Sequence, residues 1–225
     1  MEEKAFVMIL GGRAGLKIAS NIFEYNLHPD FWTGVNTEEF WGCTSLQPIA
    51  VDLTIDSASS LEKELDDVAG VLLSSGSDGS YFIGVGDNKI RQSIHERMRA
   101  KLGGDEKLLN AVHKNATVDG NISGRGNLVM PGSVINICAK VGDCTIINTN
   151  STVEHDCEIG DYAQLGPGAT LAGYVDVKTR ASIWSNATIS PGLQIGADAA
   201  VGAGAVLIKN APPETTWVGV PAKQI

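Results

Sequence analysis

Glu154-His155-Asp156 is the one ionisable cluster in the C-terminal half of this 225-residue chain, and His155 is the only histidine after His113. A histidine beside carboxylates can act as a general base near neutral pH, one carboxylate orienting the ring and stabilising the imidazolium. The same triplet also fits an exposed corner histidine, and adjacency alone does not choose between Glu154 and Asp156 as the orienting group. The other histidines, His28, His95 and His113, fall in a turn, a charged helical stretch and the segment where a repeat begins. Structural roles are expected for all three. The four cysteines form no CxxC pair. Cys157 occupies an inward small-residue position, which suits a buried hydrophobe rather than a nucleophile. No His, Cys, Asp or Glu set has metal-ligand spacing, so no metal is expected.

A second candidate site lies near the start. The apolar run Ala5 to Leu10 reads as a buried strand and enters Gly11-Gly12-Arg13-Ala14-Gly15, followed by a helical pattern through Ile18, Ile22 and Phe23. A glycine loop between strand and helix can hold phosphate on its backbone N–H groups, and Arg13 could add a direct contact. The dinucleotide fingerprint GxGxxG is absent. The run Tyr81 to Val85 ends at Gly86-Asp87-Asn88, ahead of a helical stretch from Lys89 to Leu102. Gly86 and Asp87 could line the same crevice, or Asp87 could simply cap the helix.

The elements that must position these residues divide the chain in two. From Val129 to Leu207 every sixth residue is aliphatic: Val129, Ile135, Val141, Ile147 and onward without a gap. Four residues later the chain is mostly small, as at Ser133, Ala139, Thr145, Ser151 and Cys157. An α-helix turns 100° per residue and cannot keep a six-residue stripe on one face. A coil of three short flat faces can, which is the hexapeptide pattern of a parallel β-helix. The repeat begins weakly at Val112 and Val118, breaks between Gly120 and Gly126, and ends at Asn210-Ala211-Pro212-Pro213. Ahead of it, strand, glycine turn and helix alternate, with a further apolar run at Phe31 to Val35 and a helix plus loop within residues 56–80. The expected architecture is α/β plus β-solenoid. Residues 1–108 form a small Rossmann-like domain and 109–225 a left-handed β-helix with a C-terminal cap.

Composition narrows the partners. A net charge of −9 and a pI near 4.9 argue against nucleic acid or an anionic membrane surface. No stretch is long enough to span a membrane, and the opening MEEKAFVMILGG has no basic segment with a cleavage site. The reducing cytoplasm is the expected compartment. The outer faces carry Ile137, Ile146, Tyr162 and Trp184, which are unfavourable in water over a wide area. Three prisms side by side would cover them, so a homotrimer is expected.

Several strings carry a resemblance. They are Asn148-Thr149, Glu154-His155-Asp156-Cys157, Ile159-Gly160-Asp161, Pro167-Gly168-Ala169, Leu171-Ala172-Gly173, Val201 to Val206 and Val218 to Lys223. Together they resemble the sugar O-/N-acetyltransferases of the sialic acid O-acetyltransferase type. That group includes the UDP-N-acetylbacillosamine and GDP-perosamine N-acetyltransferases. The likeness covers nearly the whole chain and is most specific after residue 128. It implies acetyl-CoA as co-substrate, a nucleotide-linked amino sugar as acceptor, and sites between neighbouring prisms. By position it makes His155 the general base, Asp156 the acid that follows it, and Asn148 a contact to acceptor or thioester. Gln164, Gly173, Ser185 and Ala203 fall where the family binds acetyl-CoA. Gly12, Arg13, Ala14, Gly15, Asn36, Gly86 and Asp87 fall where it binds the sugar nucleotide.

This chain departs from the family at three places. Relatives commonly read Gly-x-Ser-Gly-His-Gly in the first loop, where Arg13-Ala14-Gly15 stands here. A second histidine that many relatives carry is Gln164, which hydrogen-bonds but gains no proton near pH 7. An acidic pair after the second strand appears as Val35-Asn36-Thr37. The leading expectation is direct acetyl transfer from acetyl-CoA to an amine, without a covalent enzyme intermediate. O-acetylation of a sialic acid or other sugar hydroxyl is one alternative, and a non-catalytic trimeric scaffold is another.

Overall fold

The protein, seen here in a computed structural model, is described over residues 6–11, 47–52, 58–76 and 79–225. The chain forms two compact units, Met1–Lys114 and Asn115–Ile225. In the first, β1 (Phe6–Gly11), β2 (Gln47–Asp52) and β3 (Gly79–Ile83) make a parallel sheet in the order β2-β1-β3. Two helices accompany it among the described residues, α1 (Ala58–Ser74) and α2 (Asn88–Leu102). Leu65, Leu72, Tyr81, Phe82, Ile94 and Met98 are fully buried and form the core of this unit.

Most of these elements match the expectations. The strand beginning the chain sits within one residue of its expected span, and α2 starts one residue earlier than Lys89. β3 ends at Ile83 rather than Val85, because the carbonyls of Val85 and Gly86 turn to the buried guanidinium of Arg91, at 2.9 and 3.1 Å. β2 was not expected; its core Pro48-Ile49-Ala50-Val51 is too short a run to stand out. The expected run Phe31 to Val35 lies outside the described residues.

The second unit is a parallel β-solenoid of two-residue strands, with ladder partners mostly 18 residues apart. Three hexapeptides therefore complete one turn. On face one, Val129, Ile147, Leu165, Ile183 and Val201 stack in register, all fully buried. Face two stacks Ile135, Val153, Leu171, Ile189 and Leu207. Face three stacks Ile122, Val141, Ile159, Val177 and Ile195. The break between Gly120 and Gly126 is absorbed as changes of one residue: Val118 pairs Ile135, and Ile122 pairs Val141.

Each corner is turned by a residue with positive φ, recurring every six positions from Gly126 to Gly204. Several are not glycine, including Cys138, Asn150, Asp156, Tyr162, Tyr174 and Arg180. A left-handed conformation disfavours a side chain by about 1–2 kcal/mol, least for Asn and Asp. The residue next along the chain is buried at every corner named above, so the ladder imposes the turn.

The faces differ on their outer sides. Face three presents Lys140, Glu158, Asp176 and Gln194, linked by Lys140–Glu158 and Lys178–Asp176 ion pairs at 2.9 and 2.6 Å. Faces one and two present neutral residues: Leu128, Ile146, Gln164, Ser182 and Ala200 on one, and Val134, Thr152, Thr170, Thr188 and Val206 on the other. Of the four apolar residues expected on the flat faces, only Ile146 lies in a strand; Ile137 and Trp184 are at corners, 61% and 45% exposed, and Tyr162 is a corner residue only 8% exposed. The tail returns as Thr216–Val218, laying Trp217 over Val201, and then pairs antiparallel with Lys223–Gln224. This covers the open end of face one. Among the described residues no helix is long and apolar enough to cross a membrane.

Candidate active site

His155 stands at the corner between faces two and three, between the strands Thr152–Val153 and Glu158–Ile159. The left-handed turn at Asp156 (φ 60°) folds its carboxylate back onto the preceding side chain. His155 Nδ1 donates to Asp156 Oδ2 at 2.8 Å. That bond selects the tautomer with its lone pair on Nε2. Among the described residues Nε2 bonds to no protein group, and the imidazole is 46% exposed. Glu154 does not touch the ring. Its carboxylate accepts from Asn136 Nδ2 at 3.0 Å and, more loosely, from the His155 backbone N–H at 3.4 Å.

The next turn of the solenoid brings Gly173 directly over His155, 18 residues on. A Cβ at Gly173 would stand 2.7 Å from His155 Cε1 and 2.8 Å from Nε2, so only glycine leaves the ring its place. The Tyr174 ring follows, edge-on to the imidazole, with centroids 5.2 Å apart and planes at 90°. Neither Tyr174 nor Asn136 was singled out from the sequence, although adding or subtracting 18 from Asp156 and Glu154 reaches them. Cys157 is fully buried and its thiol donates to the Ala172 carbonyl at 3.2 Å. Burial raises its pKa above the usual thiol range, which disfavours the thiolate a nucleophile needs.

Asn148, Ser185 and Ala203 stand apart from this cluster, along the corner between faces one and two. Asn148 Oδ1 accepts from the Thr149 N–H at 2.8 Å, closing that corner's amide. The corresponding amides of Ser185, Ala203 and Gly173 have no such acceptor among the described residues, since Trp184, Gly202 and Ala172 precede them. Asp161 and Thr179 share this property at the third corner. An open amide alone therefore marks no site; what sets Gly173 apart is the His155 imidazole beside it. Gln164 lies on face one and donates to Ser182 Oγ at 3.2 Å.

In the first unit the strand order places β1 between two strands reached in opposite directions. In such sheets a ligand crevice opens beyond the carboxyl ends of the strands. Gly11 ends β1, and Gly86 and Asp87 follow β3 with both exposed. Asp87 caps α2, its Oδ1 accepting from the Lys89 and Ile90 N–H groups at 3.0 and 2.9 Å. Arg91, which the sequence reading passed over, holds this loop from below: besides the two carbonyls it binds Asn88 Oδ1 at 2.8 Å. Gly12, Arg13, Ala14, Gly15 and Asn36 lie outside the described residues. His95 is 1% exposed and bonded to Asp105 at 3.0 Å, a structural role. Among the described residues no cluster of His, Cys, Asp and Glu could hold a metal ion.

Comparison with known proteins places the chain among hexapeptide-repeat transferases. Residues 138–173 match the family described as bacterial transferase hexapeptide (six repeats). The chain is 37% identical over 152 residues to GDP-perosamine N-acetyltransferase of Escherichia coli O157:H7, covering 64% of this chain and 67% of that one. Among solved structures it resembles PerB from Caulobacter crescentus, determined with CoA and GDP-perosamine, at a TM-score of 0.76 and 30% identity over 100% of this chain and 98% of that one. It is also similar to the acetyltransferase domain of PglB from Neisseria gonorrhoeae FA1090, determined with acetyl coenzyme A. There the TM-score is 0.75 and the identity 25%, covering 99% of this chain and 100% of that domain.

Proposed function

The chain belongs to the hexapeptide-repeat sugar O-/N-acetyltransferases of the sialic acid O-acetyltransferase type, and on that premise we propose that it acetylates the amine of a nucleotide-linked amino sugar. Acetyl-CoA is the donor, and a GDP-linked 4-amino sugar of the perosamine kind is the first acceptor to try. The observation that carries this reading is the His155 corner, where Asp156 holds Nδ1 and leaves Nε2 open against Gly173.

His155 Nε2 accepts the proton of the acceptor nitrogen as that nitrogen bonds to the thioester carbonyl carbon. The Gly173 N–H donates to the carbonyl oxygen as negative charge grows there, the kind of preorganised donor that often dominates acyl transfer. When the C–S bond breaks, the imidazolium returns its proton to the departing sulfur. No enzyme-bound acyl group is needed, in keeping with the buried Cys157 thiol. The open amides of Ser185 and Ala203 would hold the CoA chain, while the crevice past Gly11 and Gly86-Asp87 would hold the nucleotide. The neutral faces one and two, against a charged face three, support assembly as a trimer.

The test is release of free thiol from acetyl-CoA, with UDP-, GDP- and dTDP-linked 3-amino and 4-amino sugars and their hydroxy counterparts. Turnover with an amino sugar, reduced about two to four orders of magnitude in His155→Ala, is the expected outcome. Turnover confined to a hydroxy counterpart would move the assignment to O-acetylation. A near-normal rate in His155→Ala would remove His155 as the base.

A further inference from the structure

We infer that Tyr174 is a positioning residue for the His155 imidazole, an inference that rests on His155 being the base. Tyr174 has φ 61°, a left-handed turn that an aromatic residue rarely adopts, and it is 63% exposed. Tyr162 turns its own corner with φ 60° but is 8% exposed, so burial offsets its backbone. Tyr174 has no comparable burial. Its ring lies against the imidazole of His155, at 5.2 Å and perpendicular.

Hydrogen-bonded among the described residues only through Nδ1, an imidazole that is half exposed can still swing about its Cα–Cβ and Cβ–Cγ bonds. Gly173 bounds the swing on one side, and the perpendicular Tyr174 ring bounds it at the edge. The two walls are consecutive in sequence and tied to the base by backbone, the Tyr174 N–H donating to the His155 carbonyl at 3.1 Å.

The experiment compares Tyr174→Phe, Tyr174→Ala and Tyr174→Gly in the full-length protein. It reads kcat, the KM for acetyl-CoA, melting temperature and the ¹⁵N signals of the His155 ring. Tyr174→Phe should keep the rate and the tautomer. Tyr174→Ala and Tyr174→Gly should lose about tenfold in kcat with KM for acetyl-CoA within about twofold, the scale expected when a reacting group is loosened rather than removed. Their His155 signals should show mixed tautomers, and Tyr174→Gly should melt no lower than the parent because the strain is relieved. The inference fails if Tyr174→Ala leaves both rate and ring signals unchanged, or if Tyr174→Phe loses as much as Tyr174→Ala. Mixed tautomers in Tyr174→Ala, alongside a His155→Ala variant that still turns over, would uphold the contact and discard the base assignment.

Discussion

His155 and the carboxylate that holds it are neighbours in sequence, and they meet only because Asp156 takes the left-handed turn at its corner. Aspartate is among the residues that tolerate this conformation best. Glu154, on the other side, follows the strand Thr152–Val153 and bonds to Asn136 in the previous turn. Asp156→Asn should thus lower kcat by roughly tenfold to a hundredfold, less than the ~10⁴ seen for a buried triad aspartate because this pair is exposed to water. Glu154→Gln should do far less, and steady-state kinetics on the two variants separates the roles. Gly173→Ala puts a methyl where the imidazole lies, 2.7 Å from Cε1. Its expected effect is a loss of about a hundredfold in kcat from a displaced base, with an unchanged circular dichroism spectrum. A fully active Gly173→Ala would show that the ring works from another position.

Among the elements, α2 and the loop before it join stability to binding. Asp87 caps the helix, so Asp87→Ala should destabilise the first unit by about 1 kcal/mol, read from urea unfolding. Gly86 is different. A Cβ there meets nothing within 4 Å, and the backbone needs no glycine. Gly86→Ala should leave unfolding unchanged while raising the KM for the sugar nucleotide if that backbone touches the ligand. An unaltered KM would take Gly86 out of the site. Arg91 is the buried anchor beneath both residues, and its bonds to Val85, Gly86 and Asn88 explain how a glycine-rich loop keeps one shape.

For the whole molecule, the sorting of charge over the solenoid is the main clue to assembly. Face three carries ion pairs, whereas the outward strand positions named on faces one and two are uncharged. A lysine at the centre of face two would be unfavourable to bury in a dry contact. Thr170→Lys should therefore reduce the mass measured by analytical ultracentrifugation to that of one chain and abolish turnover, while Glu158→Gln on face three should change neither. A Thr170→Lys protein that kept its assembly would place the contact on other surfaces.

The hexapeptide period is local and strict, so the solenoid, its inward aliphatic stack and the residues at its corners were legible in the chain. So was His155, as the lone histidine among carboxylates there. The same period implies that residues 18 apart stack, which places Gly173 over His155 by arithmetic. Side-chain direction does not follow from spacing. Whether Glu154 or Asp156 reached the imidazole depended on which of them turned the corner with positive φ. The burial of Tyr162 and the exposure of Tyr174, six-residue equivalents at different edges, depended on what each corner faces. β2 and the bonds of Arg91 were equally hidden, because a short strand and a buried cation are stabilised by partners distant in sequence. The sequence by itself determined the repeat, and with it the coil and the identity of the candidate base. Tertiary structure decided which groups hold that base, because hydrogen bonds and ring contacts depend on direction in space and periodicity specifies only position along the chain.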